Sequence, residues 1–345
     1  PPTNWQSIFG GSAWQWDTRR CQYYLHNFLV EQPDLNFRNP EVVEAILGEV
    51  RFWLERGVDG FRLDAVNFCT HGEIRDNPPR EELVEGFIGV RPDNPYGFQQ
   101  HLYDKTQPEN LAFLERLRAL LDEYPGTTSV GEVGDDDSLG VMAEYTRGGN
   151  RLHMAYSFDL LGERHDPEFL HATLTGMEAR IADGWPCWAL GNHDVTRLAT
   201  RWGAEGDQAR LRLYLAFLFT QRGSVCLYQG EELGLPEAEV PFERIQDPYG
   251  KVLWPAFKGR DGCRTPMPWE NSANGGFTAP GVEPWLPVEA RHLPLSVARQ
   301  EDDSASVLNA TRRLLALPKR PTAILFSDDF SAIGGIQAIR EEGLL

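Results

Sequence analysis

No apolar run in this chain approaches the ~20 residues that a membrane-spanning helix needs; residues 213–220 are among the longest such stretches. Basic charge is in deficit, with 33 Lys and Arg against 51 Asp and Glu and a net charge of −18. That balance argues against binding nucleic acid or adhering to anionic lipid, since both need a basic footprint. Cysteine is sparse: Cys21, Cys69, Cys187, Cys226 and Cys263 are odd in number, scattered, and never spaced C-x-x-C. This disfavours a disulfide framework or a thiolate zinc centre and favours a reducing cytoplasm. No basic segment followed by an apolar one opens the chain, so no signal peptide is visible. It starts Pro1-Pro2 without a Met, as expected of a frame that begins further upstream or of a processed chain.

What is present is ordinary globular composition, 41% hydrophobic and 24% charged over 345 residues, which excludes a disordered or collagen-like chain. Asn39-Pro40-Glu41 reads as a helix start, with an N-cap, a proline at the first turn and an acid beside the positive end. Val42, Val43, Ile46, Leu47, Val50 and Leu54 follow at helical spacing, and Gly57 supplies the stop. Residues 58–68 then read as strand. Leu111, Leu114, Leu117 and Leu121 mark a second helix, residues 127–133 a strand and 154–160 a weaker one. Helix over 169–181, strand over 185–191, helix over 207–220 and strand over 225–228 complete about five strand–helix units. Such alternation predicts a parallel α/β sheet, doubly wound or a (β/α)8 barrel. Residues 259–293, rich in Pro, Gly and Trp, read as a long structured loop region.

Charged residues collect where these strands end. In Gly60-Phe61-Arg62-Leu63-Asp64-Ala65, Arg62 and Asp64 alternate onto one face of a strand expected to be buried on both sides. A charged pair there is costly unless it is paired or used. Glu132 closes the strand Ser129-Val130-Gly131-Glu132, and His193 and Asp194 follow Leu190-Gly191-Asn192. Parallel α/β folds place their sites at the carboxyl ends of strands. Two carboxylates flanking a scissile bond are what glycoside hydrolysis requires.

Gly60-Phe61-Arg62-Leu63-Asp64-Ala65, Gly131-Glu132-Val133 and Gly191-Asn192-His193-Asp194 resemble, in order, three signatures of the α-amylase superfamily, glycoside hydrolase family 13. Trp5–Trp14, Gln22–His26, Glu31–Asn36, Tyr228–Glu232 and Arg260–Met267 are also similar to this family. Together they resemble its α-glucosidase and oligo-1,6-glucosidase branch over about residues 1–315. The resemblance implies a (β/α)8 TIM-barrel fold and a retaining α-glucosidase-type hydrolase acting on short α-glucosides. Asp64 would be the nucleophile that carries the covalent glucosyl group, and Glu132 the acid/base. Asp194 would hold sugar hydroxyls and stabilise the transition state. Arg62 would keep Asp64 ionised, His193 would donate to a sugar hydroxyl, and Arg260 would help hold the terminal glucose. Ala65 after the nucleophile favours α-1,4 linkages over α-1,6. No cofactor and no metal is implied, and the oligomeric state stays open.

Against that family pattern, the Asn-His signature and the sugar-gripping Asp that precede the nucleophile are not found. The expectation is therefore a barrel truncated to strands four to eight. Residues 1–38 would be part of domain B, 39–316 the partial barrel and 317–345 a β/α tail. In that tail a strand lies within residues 320–329 and a helix over 332–342, and its pattern resembles a segment of the sugar-binding core of LacI/GalR-type repressors. It contains no helix-turn-helix. A glucosyl-transferring relative uses the same machinery as a hydrolase, and an inactive truncated or fused fragment is the remaining alternative.

Overall fold

The structure, a computed structural model, describes residues 1–81 and 94–316, together with the backbone of 324–326. It divides into two compact units, Pro1–Asp159 with Leu170–Cys187, and Leu160–Phe169 with Trp188–Leu345.

The first unit begins with an antiparallel hairpin, β1 (Trp14–Asp17) and β2 (Gln22–Leu25), in which Trp16 pairs with Tyr23. Helix α1 (Pro40–Leu54) starts where the sequence predicts, with the Asn39 side chain accepting from the Glu41 N–H at 3.0 Å. Gly57, at φ +87°, turns the chain after the helix in a conformation that a side chain would resist. Strand β3 (Gly60–Leu63), helix α2 (Asn110–Leu121), strand β4 (Thr128–Val133), helix α3 (Ser138–Thr146) and strand β5 (Met154–Ser157) follow. The strands form a parallel sheet in the order β3-β4-β5. Leu114, Leu117 and Leu121 of α2, Val130 of β4 and Met142 of α3 are buried in the core of this unit. Most of α4 (Pro167–Ile181) belongs here as well.

The second unit contains most of β6 (Cys187–Ala189), then α5 (Leu198–Arg201), α6 (Gln208–Phe219), β7 (Ser224–Leu227), α7 (Pro248–Leu253), α8 (Val297–Glu301), α9 (Val307–Leu315) and β8 (Ile324–Phe326). Its sheet runs β6-β7-β8, with β8 parallel to β7 and Val225 opposite Ile324. Asp207 caps α6 by accepting from the Arg210 N–H at 3.0 Å. Leu211, Leu215 and Leu218 make the buried face of α6, and Tyr214 lies half-buried beside them. Leu233, Leu235 and Leu308 form a further apolar cluster with Met267, Leu295 and Val297 packed on it. Residues 259–293 have the expected irregular form, with short 3-10 turns at Asp261–Arg264 and Ala273–Gly276. None of the five cysteines is in a disulfide, and Cys226 is buried in β7.

Two expectations need correction. The strand expected over 58–68 stops at Leu63, because Ala65 takes a left-handed conformation at φ 40° and a 3-10 turn, Val66–Phe68, follows. That strand is also not buried on both faces. Among the described residues β4 is its only partner strand, so Arg62 stays exposed while Gly60, Phe61 and Leu63 are half-buried. Of the tail, the strand expected within 320–329 is present as β8. The helix expected over 332–342 lies outside the described residues. Among the described residues no helix is long and apolar enough to cross a membrane.

Candidate active site

In the first unit the strand register decides which side chains meet. Arg62 lies opposite Val130, and Glu132, two residues on, lies opposite Tyr156. Alternation therefore puts Arg62, Glu132 and Tyr156 on one face of the β3-β4-β5 sheet. Asp64 comes just after β3 and its side chain is 74% exposed, whereas that of Glu132 is 5% exposed. The guanidinium of Arg62 touches both carboxylates: Nη1 is 2.6 Å from Asp64 Oδ1, and Nη2 is 2.8 Å from Glu132 Oε1. Nη2 also donates to the Tyr156 hydroxyl at 2.9 Å, and that hydroxyl donates to Glu132 Oε1 at 2.7 Å. The left-handed turn at Ala65 aims its N–H at Glu132 Oε2, 3.2 Å away. A non-glycine residue there costs about 1–2 kcal/mol, a strain of the kind that collects at working sites.

These surroundings set two carboxyl groups apart. Burial is the main cause that lifts Glu132 from 4.5 to about 7; the Asp64 charge adds to it, and Arg62 and the Tyr156 hydroxyl oppose it. A buried carboxyl that holds its proton near neutrality can act as a general acid. An exposed carboxylate bound to a guanidinium is suited to attack or to electrostatic stabilisation.

The second unit assembles a different cluster after β6. The Asn192 side chain accepts from the Asp194 N–H at 2.9 Å and fixes the local turn. Asp194 Oδ1 accepts from Arg260 Nη1 at 2.9 Å and from Arg264 Nη2 at 2.8 Å. Arg264 Nε also donates to the His193 carbonyl at 2.7 Å. His193 Nε2 lies 3.4 Å from Asp194 Oδ2. Arg260 is gripped from behind by Asp247, whose Oδ1 accepts from Nη2 at 2.9 Å and whose Oδ2 accepts from Nε at 3.0 Å. Burial raises the Asp247 carboxyl, and the Arg260 contacts more than reverse that, so it ends below 3.8. Asp261, also buried, accepts from the backbone N–H of Asp247 at 3.0 Å. Gly191 in the same motif has no room for a side chain, because a Cβ there would strike the buried Glu231 carboxyl.

Of the six residues singled out in the sequence, Arg62, Asp64 and Glu132 meet in the first unit, and His193, Asp194 and Arg260 meet in the second. Arg62 and Asp64 are paired as expected, although on an edge strand and in the turn after it. Three participants were missed. Arg264 lies inside the quoted motif Arg260–Met267, where Arg260 alone drew attention. Asp247 precedes Pro248, so the Asp-Pro pair advertises a helix cap and hides the second role. Tyr156 sits in the weakest of the expected strands, where an aromatic residue passes for core. No group of three or more His, Cys, Asp or Glu suited to hold a metal ion occurs among the described residues.

The profile of the α-amylase catalytic domain matches residues 1–327. A probable α-glucosidase of Rhizobium meliloti is 51% identical over 350 residues, covering 100% of this chain and 62% of that protein. An oligo-1,6-glucosidase of Parageobacillus thermoglucosidasius is 31% identical, over 94% of this chain and 61% of that protein. Among solved structures, the α-glucosyl transfer enzyme XgtA superposes with a TM-score of 0.87 at 56% identity, over 92% of this chain and 59% of that one. The chain thus spans about three-fifths of the length of these relatives.

Proposed function

The chain belongs to the α-amylase catalytic-domain family, and from that premise we propose that it carries the chemistry of a retaining α-glucosidase acting on short α-glucosides. The observation that supports this most is the unequal carboxyl pair on one guanidinium: exposed Asp64 and buried Glu132 both touch Arg62. In the proposed reaction Asp64 attacks the anomeric carbon as Glu132 gives its proton to the leaving oxygen. Water, activated by the Glu132 carboxylate, then releases the glucosyl group from Asp64. Asp194 and His193 are assigned to sugar hydroxyls, with Arg260 holding the terminal glucose. Arg264 and Arg260 both donate to Asp194 Oδ1, while Oδ2 faces His193 Nε2 at 3.4 Å.

A second reading, transfer of the glucosyl group to a sugar acceptor, is favoured by the similarity to an α-glucosyl transfer enzyme. Both readings run through the same glucosyl-enzyme. Ala65 after the nucleophile supports α-1,4 substrates. We assign the polypeptide to the cytoplasm, with residues 1–38 as part of domain B, 39–316 as strands four to eight of the barrel, and 317–345 as a tail. The test is incubation with an aryl α-glucoside, with and without excess maltose as acceptor, and NMR of the products. Glucose released as the α-anomer supports the hydrolase, and α-linked transfer products support the transferase. β-Glucose as the first product rules out both.

A further inference from the structure

We propose that Tyr156 is a positioning residue that, through Arg62, fixes the catalytic proton on Oε2 of Glu132. The inference rests on the assignment of Glu132 as the acid/base. Arginine can only donate hydrogen bonds, and at neutral pH a tyrosine hydroxyl has a single proton. Because Arg62 Nη2 donates to the Tyr156 oxygen at 2.9 Å, the tyrosine proton is free to point at Glu132 Oε1, 2.7 Å away. Oε1 then accepts from the Tyr156 hydroxyl and lies against the Arg62 cation, whose Nη2 is 2.8 Å away. A proton on Oε1 would have to displace the tyrosine donor and sit against that guanidinium. Oε2 accepts the Ala65 N–H, at a longer 3.2 Å. The proton of the neutral acid therefore sits on Oε2.

Each strand beside Glu132 contributes to this arrangement. From β3 and the turn after it, Glu132 faces Arg62 and Asp64, and from β5 it faces Tyr156. Asp64 itself hydrogen-bonds to Glu132. In the glucosylation step the Oε2–H bond breaks and a bond from that hydrogen to the leaving oxygen forms. The glycosidic C–O bond cleaves, and Asp64 supplies the electron pair of the new ester. A rigid Tyr156–Arg62 pair keeps Oε1 from taking the proton to the wrong side of the carboxyl plane.

Tyr156→Phe removes only the hydroxyl from a residue that is 3% exposed. Two measurements on the purified chain read the effect. The first is a 13C titration of the glutamate carboxyls, in which the Glu132 signal is identified by its loss in Glu132→Gln. With one donor to the ionised form removed, Glu132 titrates about one pH unit higher in Tyr156→Phe. The second is kcat/KM on a leaving-group series: Tyr156→Phe loses roughly tenfold or more on maltose and little on an activated nitrophenyl α-glucoside. An unchanged Glu132 titration, or an equal loss on both substrates, overturns the proposal. Undiminished maltose turnover in Glu132→Gln instead overturns the acid/base assignment, whatever Tyr156→Phe does.

Discussion

Asp247 holds Arg260 through both carboxylate oxygens, at 2.9 and 3.0 Å, and accepts the backbone N–H of the same residue at 2.9 Å. The side chain of Asp247 is fully buried and that of Arg260 is 21% exposed. Arg260 passes this order on to Asp194. Breaking a buried pair from one side leaves an uncompensated charge, at a cost of about 3 kcal/mol or more. Asp247→Asn is expected to lower the urea midpoint accordingly, with Arg260→Lys a milder case because the two-point grip is lost. An unchanged midpoint in Asp247→Asn shows that Arg260 is not held this way.

Glu132 must be protonated to assist departure, and its carboxyl titrates at about 7. Activity on substrates with poor leaving groups should therefore fall about tenfold per pH unit above ~7. Glu132→Gln cannot deliver a proton and should lose ~10²–10⁴-fold on such substrates, far less on activated aryl glucosides. A pH profile of kcat/KM for both substrates checks this, and a flat alkaline side contradicts it.

Glu231 gives a stability signature independent of turnover. Its carboxyl is buried beneath Gly191, accepts the Tyr228 N–H at 2.9 Å, and is raised by burial from 4.5 to about 7. The folded state thus binds its proton more tightly than the unfolded state does. The associated stability is complete below about 4.5 and is lost as the pH rises through about 7. The difference amounts to ~3 kcal/mol. Glu231→Gln should abolish that share of the pH dependence in urea unfolding followed from pH 4.5 to 8; Glu132, raised into the same range, keeps its own. A wild-type slope in Glu231→Gln removes Glu231 from the account.

Gly191→Ala places a methyl group against the Glu231 carboxyl. Overpacking of this kind costs about 1–3 kcal/mol. The loss should be smaller in the Glu231→Ala background, where the obstructing carboxyl is gone. Equal losses in both backgrounds in thermal unfolding would point to backbone strain at Gly191.

Much of this was legible in the sequence. The cap at Asn39 and the apolar faces of α1 and α2 are local patterns, and local patterns survive folding. The acids at the strand ends were legible for the same reason. The exact end of β3 was not, because the left-handed turn at Ala65 puts an alanine where turn chemistry favours glycine or asparagine. The exposure of Arg62 was missed because burial on both faces depends on a neighbouring strand, which no local pattern in β3 reports. Tyr156, Asp247 and Arg264 escaped because their roles exist only as contacts across the chain, 94 residues apart for Arg62 and Tyr156. A residue type read in isolation carries no trace of such a partner.

The central claim is that Asp64 forms the bond to the sugar. Incubation with an activated fluoro-α-glucoside that forms the ester quickly and releases it slowly, followed by peptide mass mapping, addresses it directly. The account predicts one glucosyl adduct per chain on the peptide that carries Asp64, and none in Asp64→Asn. An adduct on another residue, or full labelling of Asp64→Asn, would contradict it.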